Sequence, residues 1–139
     1  VVEVGIPGLS TCLYGAMCFA SPEIVVALLD AGADANSTDI MDIDPLMAAC
    51  ALGRLDNAKT WFTKLKHWKV DRQNAKFGST ALHVAVYMGP KKLDLVKYLV
   101  RLFFLVLFLT ILHQLIHQIH RYMTKRQIFI SQTRAEHLL

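Results

Sequence analysis

The sequence has few cysteines, and their spacing matches no cysteine site. Cys12, Cys18 and Cys50 are odd in number and form no Cys-x-x-Cys pair. This excludes a disulfide framework or a zinc knuckle as the organising feature, and we expect small buried thiols in a reducing cytoplasm.

The usual motifs of catalysis are also lacking. The sequence contains no phosphate-binding glycine loop and no serine nucleophile elbow. The histidines of His113-Gln-Leu-Ile-His117, with His120 beyond them, have the spacing of a zinc-protease helix, but Gln114 replaces the glutamate that acts as general base. We therefore predict no enzymatic activity, no cofactor and no metal site.

Positive charge is absent from the first part of the chain. Residues 1–50 contain seven acids and no Lys or Arg, so all fifteen Lys and Arg lie in residues 51–139. The acids Asp39, Asp42 and Asp44 lack the spacing, central glycine and terminal glutamate of a calcium loop. The basic residues are not interleaved with aromatic ones, so we predict a solvated surface and no nucleic-acid partner.

An N-terminal signal is not visible either. Val1–Ser10 has no basic stretch followed by an apolar run, so we expect a cytoplasmic protein, with membrane association as the alternative. The chain begins at Val1 without a methionine, which is typical of a fragment of a longer protein.

What the sequence does contain is a pair of short predicted helices at Gly78–Val100. Thr80 is a candidate N-cap, and an apolar face comes after it at helical spacing, formed by Leu82, Ala85 and Val86. Gly89-Pro90 ends this helix, and a second helix with an apolar face comes next. Two such helices cannot bury their faces alone and need stacked copies of themselves.

Two weaker copies of this pattern lie upstream. In the first, Thr11 is a candidate N-cap, a second helix begins at Ser21-Pro22-Glu23 and buries Ile24, Val25, Leu28 and Leu29, and Gly32 lies where a left-handed residue is needed. In the second, Asp44-Pro45-Leu46 begins a helix 33 positions after Thr11. Its partner helix, Leu55–Phe62, has an apolar face that Asn57, Thr60 and Thr63 are expected to weaken.

These segments resemble ankyrin repeats. AGADAN at 31–36 is close to the GADVN ending of that family, and Thr80-Ala81-Leu82-His83 is similar to its Thr-Pro-Leu-His tetrapeptide. The resemblance implies an all-α solenoid of stacked helix-turn-helix pairs with hairpin-like fingers, with repeats at 11–43, 44–79 and 80–101 of a domain spanning 1–101. It implies structural roles for Thr11, Gly32, Asp34, Asp44, Pro45, Thr80, Leu82, His83 and Gly89.

The connection 64–77 departs from the family pattern. Asp44 and Thr80 are 36 positions apart, which is about three residues more than the ankyrin period. The inserted stretch is basic, and we expect Trp68 and Val70 to anchor it.

The pattern ends after Val100, where a long apolar helix is predicted instead. Thirteen of the nineteen residues in 102–120 are Leu, Ile, Val or Phe, and 121–139 forms a basic tail. The apolar helix either caps the solenoid or lies at an interface, or it anchors in a membrane. A third alternative is a segment unrelated to the repeats, joined through a change of reading frame or a retained intron.

The resemblance also implies a protein-binding function through the concave face and the fingers. The positions before each helix–helix turn are apolar and would line that face: Cys18, Phe19, Ala51, Leu52, Tyr87 and Met88. Asp39 and Asp42 would add an acidic rim on a finger. We expect a monomeric scaffold or adaptor whose partner is another protein. The alternatives are the cytosolic segment of a membrane protein such as an ion channel, and the targeting repeats of a larger enzyme.

Overall fold

The computed structural model of the chain describes residues 11–87 and 93–137 and contains six helices in those ranges. They are α1 (Cys12–Phe19), α2 (Pro22–Asp30), α3 (Pro45–Leu52), α4 (Leu55–Lys64), α5 (Ala81–Tyr87) and α6 (Leu93–Glu136). Within the described ranges no strand forms, as expected for an all-α repeat protein. The turn predicted at Gly89-Pro90 lies outside these residues.

Each predicted helix start of the inner row is confirmed by its cap. Thr11 Oγ1 accepts a hydrogen bond from Tyr14 N (3.2 Å), and Asp44 Oδ1 accepts one from Met47 N (2.8 Å). At the third start, Thr80 Oγ1 accepts from His83 N (3.3 Å). These bonds satisfy donors that the first helical turn cannot pair internally.

The helices form two rows. In the inner row α1 packs on α3 and α3 on α5, while α2 packs on α4 in the outer row. The first turns of α6 continue the outer row, because Leu95 and Leu99 are buried in the common core and Tyr98 contacts Phe62. Other large core members are Leu13, Met17, Val25, Leu46, Met47 and Trp61.

Several burial predictions were wrong. Ile24 is exposed on α2, which buries only Val25 fully and leaves Leu28 and Leu29 half-buried. Cys12 is also exposed, because it is the first residue of α1 and points away from the core, whereas Cys18 and Cys50 are buried as predicted.

Asn57 was expected to weaken the face of α4, but it joins the first two repeats. Its Nδ2 donates to the carbonyl oxygens of Ala16 (3.3 Å), Met17 (3.0 Å) and Ala20 (3.1 Å). Arg54 adds a bond from its guanidinium to Ala20 O. Ala16 O also accepts from Ala20 N (2.9 Å), whereas Met17 O and Ala20 O at the end of α1 receive their bonds from side chains of the second repeat.

The two fingers contain turns rather than strands. In the first, Asp39 N donates to Ile43 O (3.0 Å), and in the second Asn74 N donates to Ser79 O (2.8 Å). Asn74 Nδ2 also donates to the carbonyl oxygens of Met41 and Asp42 (2.8 Å each), which joins one finger to the next.

The basic connection 64–77 is held by aromatic contacts. The ring of Trp68 lies edge-on to buried Trp61, with 5.0 Å between centroids. Arg72 stacks over Trp68 at 4.7 Å, donates to Asn36 Oδ1 (3.0 Å) and approaches Asp44 Oδ2 (3.8 Å). Trp68 is thus an anchor of the inserted residues, as the sequence predicts.

Helix α6 does not end where the repeat pattern ends. It continues as one helix through Glu136, so residues 121–136 of the predicted basic tail are helical. The reason is local, because no Gly or Pro occurs between Leu93 and Glu136. By contact the chain divides into two units, one ending at Leu102 and the other beginning at Phe103.

Candidate protein-binding surface

The three inner helices have the same register, which allows their burial to be compared position by position. Two residues after each N-cap lie Leu13, Leu46 and Leu82, and six residues after it lie Met17, Cys50 and Val86. The members from the first two repeats are fully buried. Leu82 is only half-buried, and Val86 is 58% exposed.

This difference follows from the order of the stack. In repeats 1 and 2 these positions are covered by the next inner helix, whereas no described residue stacks on α5 in the same way. The prediction that Val86 is buried was therefore wrong, because it assumed that a further repeat covers α5.

The uncovered side of α5 forms a groove with the two fingers. The groove has a volume of about 940 Å³ and is lined by Ile43, Phe77, Ser79, Leu82, His83, Val84, Val86 and Tyr87. Its rim is strongly apolar, since Phe77 is 61% exposed and Tyr87 89% exposed. We refer to these eight residues as the end groove.

The polar groups of the end groove are few. His83 Nδ1 accepts from Thr80 N (3.2 Å) and contacts Thr80 Oγ1 (2.9 Å), so the neutral ring carries its proton on Nε2. These contacts place His83 at the start of α5, and the structural role expected of it stays a prediction. Among the described residues that line this groove, none other than His83 has an acidic or basic side chain.

The positions predicted to contact a partner have different environments. Phe19, Leu52 and Tyr87 are exposed, but only Tyr87 lines the end groove. Cys18 is buried and Ala51 half-buried, so neither offers the fully exposed side chain that was predicted. Burial raises the pKa of the Cys18 thiol. Met88 lies outside the described residues, as does Gly89.

The predicted acidic rim is used within the finger. Asp39 Oδ1 accepts from Met41 N (2.8 Å) and Ile43 N (2.9 Å), and Asp39 Oδ2 accepts from Tyr14 OH (3.1 Å). Burial and the neighbouring Asp39 raise the pKa of Tyr14. Asp42 has a left-handed backbone (φ 59°) and accepts from Ala75 N. Asp39 thus holds its own finger in shape and joins it to α1, whereas Asp42 joins the first finger to the second.

The other structural positions have the expected geometry. Gly32 has φ +84° after α2, and Gly53 has φ +71° at the end of α3. Asp34 Oδ1 accepts from Asn36 N (2.8 Å), and Pro45 is the first residue of α3. Within 11–87 and 93–137, no group of three or more His, Cys, Asp or Glu side chains is arranged to hold a metal ion.

Sequence reasoning missed Phe77 and Val86 as surface residues. Phe77 was counted as part of the connection, and Val86 as core. The signal that could have found them was present: no further equivalent of Thr80-Ala81-Leu82-His83 occurs after Val100. The last inner helix of an array therefore has an uncovered side unless another segment covers it.

Comparison with known families agrees with this architecture. A family model for ankyrin repeats in three copies matches residues 11–105, which is more than half of the chain. The chain belongs to the ankyrin-repeat family. A search of curated proteins finds no match. Ankyrin repeats are generally protein–protein interaction modules, and the family is typically non-catalytic.

Helix α6 has a second property that the repeats do not explain. It is long and apolar enough to cross a membrane, with a mean hydropathy of 2.3 over its most apolar 18 residues, of which 11% are buried. From Phe103 to Glu136 every residue is exposed except Thr133, which is half-buried. The apolar part of this helix is therefore not covered by any of the described residues.

Proposed function

We propose that this chain is a non-catalytic interaction module that binds another protein through the end groove. The observation that supports the proposal is that Val86 is exposed and Leu82 only half-buried, at positions that are fully buried in the first two repeats. These positions form an apolar surface that no described residue covers. Such exposed apolar surfaces mark sites of protein–protein interaction.

The chemistry of the end groove indicates the kind of segment it accepts. Its exposed residues are aromatic or aliphatic, and the polar side-chain groups among its described lining residues are the Ser79 hydroxyl, the His83 ring and the Tyr87 hydroxyl. We expect a partner that inserts aliphatic or aromatic side chains along α5, because such a segment repeats the contacts that α5 makes with α3. The predicted stripe of Phe19 and Leu52 would then lie outside the contact.

Affinity capture with matched variants tests this proposal. Val86→Glu with Tyr87→Glu places two charges in the end groove, and Ile24→Glu with Ala27→Glu places two on exposed positions of α2. A third variant, Phe19→Glu with Leu52→Glu, tests the stripe predicted from the sequence.

We expect one set of captured proteins to be lost with Val86→Glu plus Tyr87→Glu. The same set should remain with the other two variants. Loss with Phe19→Glu and Leu52→Glu alone would move the site to that stripe. Equal capture by all variants would remove the end groove as the site. Far-UV circular dichroism confirms that each variant retains its helices.

Membrane association is a second candidate, because α6 is exposed, long and apolar. In that case the repeats would be a peripheral arm of a membrane-anchored protein. Alkaline carbonate extraction of cell membranes compares the wild-type chain with Leu107→Lys plus Ile111→Lys. Two lysines in the apolar run cost roughly 5–7 kcal/mol in a bilayer centre, so the variant is expected in the soluble fraction if the wild type resists extraction. A wild-type chain that is itself extracted would dismiss this candidate.

A further inference from the structure

Beyond the repeats, α6 carries large apolar residues separated alternately by three and four positions. They are Leu102, Leu105, Leu109, Leu112, Ile116, Ile119 and Met123. This spacing has an average period of 3.5 residues and continues for three heptads. It is the a/d pattern of a helix that packs along another helix. We call these seven residues the α6 seam.

The second half of the seam is the informative part. Up to Leu112 nearly every residue is apolar, so any spacing can be found there. After Leu112 the seam positions stay apolar, whereas the opposite side of the helix becomes polar with Gln114, His117, Gln118, Arg121 and Thr124. The seam positions thus stay apolar where the opposite side of the helix becomes polar. This contrast indicates that another helix packs along the seam.

The described chain leaves this side uncovered. Of the seam, Leu105, Leu109, Leu112, Ile116, Ile119 and Met123 are between 42% and 62% exposed. In the second half of α6 the apolar stripe is narrow and the opposite side is polar. A second helix with a similar stripe would cover the apolar residues alone, whereas lipid would also surround Gln114, His117 and Gln118.

We infer that α6 pairs in parallel and in register with α6 of a second copy of this chain, along the seam. This inference does not depend on the end groove, and it departs from the monomer expected from the sequence.

The distribution of charge along α6 is compatible with this pairing and determines where the paired segment ends. In a parallel pair each seam residue meets its own copy, and no seam residue as far as Met123 is charged. The next position in the series is Arg126, where two guanidinium groups would meet and repel each other. The positions flanking the seam pair Phe108 with His113 and Leu115 with His120, and an apolar member in each pair means that no like charges meet there. The seam therefore ends at Met123.

The pairing does not bury all the apolar residues of α6. Phe103, Phe104 and Leu107 occupy positions away from the seam and stay exposed in the pair. They are the residues on which a bilayer would act, so a paired helix remains compatible with the membrane association considered above. Lipid alone as the cover of a single α6 is the competing explanation.

The first test measures molar mass by light scattering after size-exclusion chromatography, without detergent. The wild-type chain is expected at twice the 15.6 kDa of one chain. Ile116→Glu with Ile119→Glu charges the seam and should shift the mass to one chain. Gln114→Glu with Gln118→Glu adds the same charge on the opposite side and should leave the pair intact. A monomeric wild type, or an equal effect of the two variants, would overturn the inference.

The second test does not require the seam to be disrupted. Cys12 is the exposed native cysteine, so it is first replaced with Cys12→Ser. Leu112→Cys on the seam should then form a disulfide-linked dimer under mild oxidation, because a parallel pair brings identical seam positions within disulfide reach. Gln114→Cys on the outer side should remain unlinked.

The same oxidation is repeated with phosphatidylcholine vesicles. Selective linkage at Leu112→Cys, with or without vesicles, supports the pair. Co-sedimentation with vesicles without that selective linkage would show that lipid covers a single helix, and would overturn it. Binding through the end groove is measured separately, so either idea can fail while the other stands.

Discussion

At the scale of single residues, Asp44 shows how a helix start can also be a source of instability. Its carboxylate caps α3 through Met47 N and is 2% exposed, with Arg72 3.8 Å away. Burial raises the pKa of this carboxyl, although the Met47 N–H and the Arg72 guanidinium act in the opposite direction. The cost of removing the charge from water thus exceeds what its partners return.

A pH dependence follows from that raised pKa. A group that binds its proton more tightly in the folded chain contributes stability below its ordinary pKa, and this contribution is lost as the pH rises through the folded-state value. Asp44→Asn keeps a capping oxygen but does not ionise. Between about pH 4 and pH 7, we expect the melting temperature of the variant to rise relative to the wild type as the pH increases. Thermal unfolding at a series of pH values measures this, and a difference independent of pH would contradict it.

Gly32 and Gly15 form a matched pair. Neither would bring a new Cβ within 4 Å of another atom, but Gly32 has φ +84° whereas Gly15 lies within α1. Gly32→Ala should therefore lower the free energy of unfolding by about 1–2 kcal/mol through backbone strain alone. Gly15→Ala should raise it by roughly 0.5–1 kcal/mol, because alanine is the better helix former. Denaturant unfolding measures both, and the same sign for the two variants would refute the assigned register.

Local patterns were sufficient to predict some of these residues but not others. Thr11, Gly32, Asp44 and Thr80 act on neighbours within a few positions, so their roles can be read from the sequence. Asn57 could not be recognised in that way, because the carbonyl groups it binds are 37 to 41 positions away. From the sequence alone, such a buried amide can only be interpreted as a polar residue that interrupts an apolar face.

At the scale of elements, α6 passes through two environments within one helix. Leu99 is 1% exposed in the core of the repeats, and Leu105, less than two turns later, is 54% exposed. The sequence predicted helix on both sides of Arg101. It could not show the continuity, because the repeat pattern stops there and helix propensity alone decides the structure of the later residues.

The two leucines allow the environments to be compared with a single kind of substitution. Leu99→Ala removes a fully buried side chain and should cost about 2–5 kcal/mol in the unfolding of the repeats. Leu105→Ala should change that transition by less than about 0.5 kcal/mol. Chemical denaturation measures both, and a comparable loss for Leu105→Ala would mean that the repeats bury this part of α6 after all.

At the scale of the whole molecule, the described residues leave two apolar surfaces uncovered, one in each unit. One is the end groove, where α5 lacks a further repeat, and the other is the α6 seam. The fold of the repeats was predictable because each repeat restates the same local signals. The end groove was not, because it arises from the place where the repetition stops.

Fluorescence can separate the two units. Both tryptophans of the chain, Trp61 and Trp68, lie in the repeats. Ile116→Glu with Ile119→Glu should leave the midpoint of the tryptophan-detected unfolding unchanged, but it should lower the helical signal at 222 nm. An isolated helix without a packed face is only marginally stable in water. In the wild type this helical signal should grow with protein concentration, and no such dependence would argue against a paired α6.

The side chains that complete α1 also set an order of events during synthesis. A chain leaves the ribosome from its N terminus, so α1 emerges before Arg54 and Asn57 emerge. Until then Met17 O and Ala20 O lack these side-chain partners, and Ala16 O has only its bond from Ala20 N. The first repeat therefore cannot mature when it is made, and its last bonds form when the fourth helix arrives. In a growing chain, the first repeat is fully hydrogen-bonded only after the second repeat has formed.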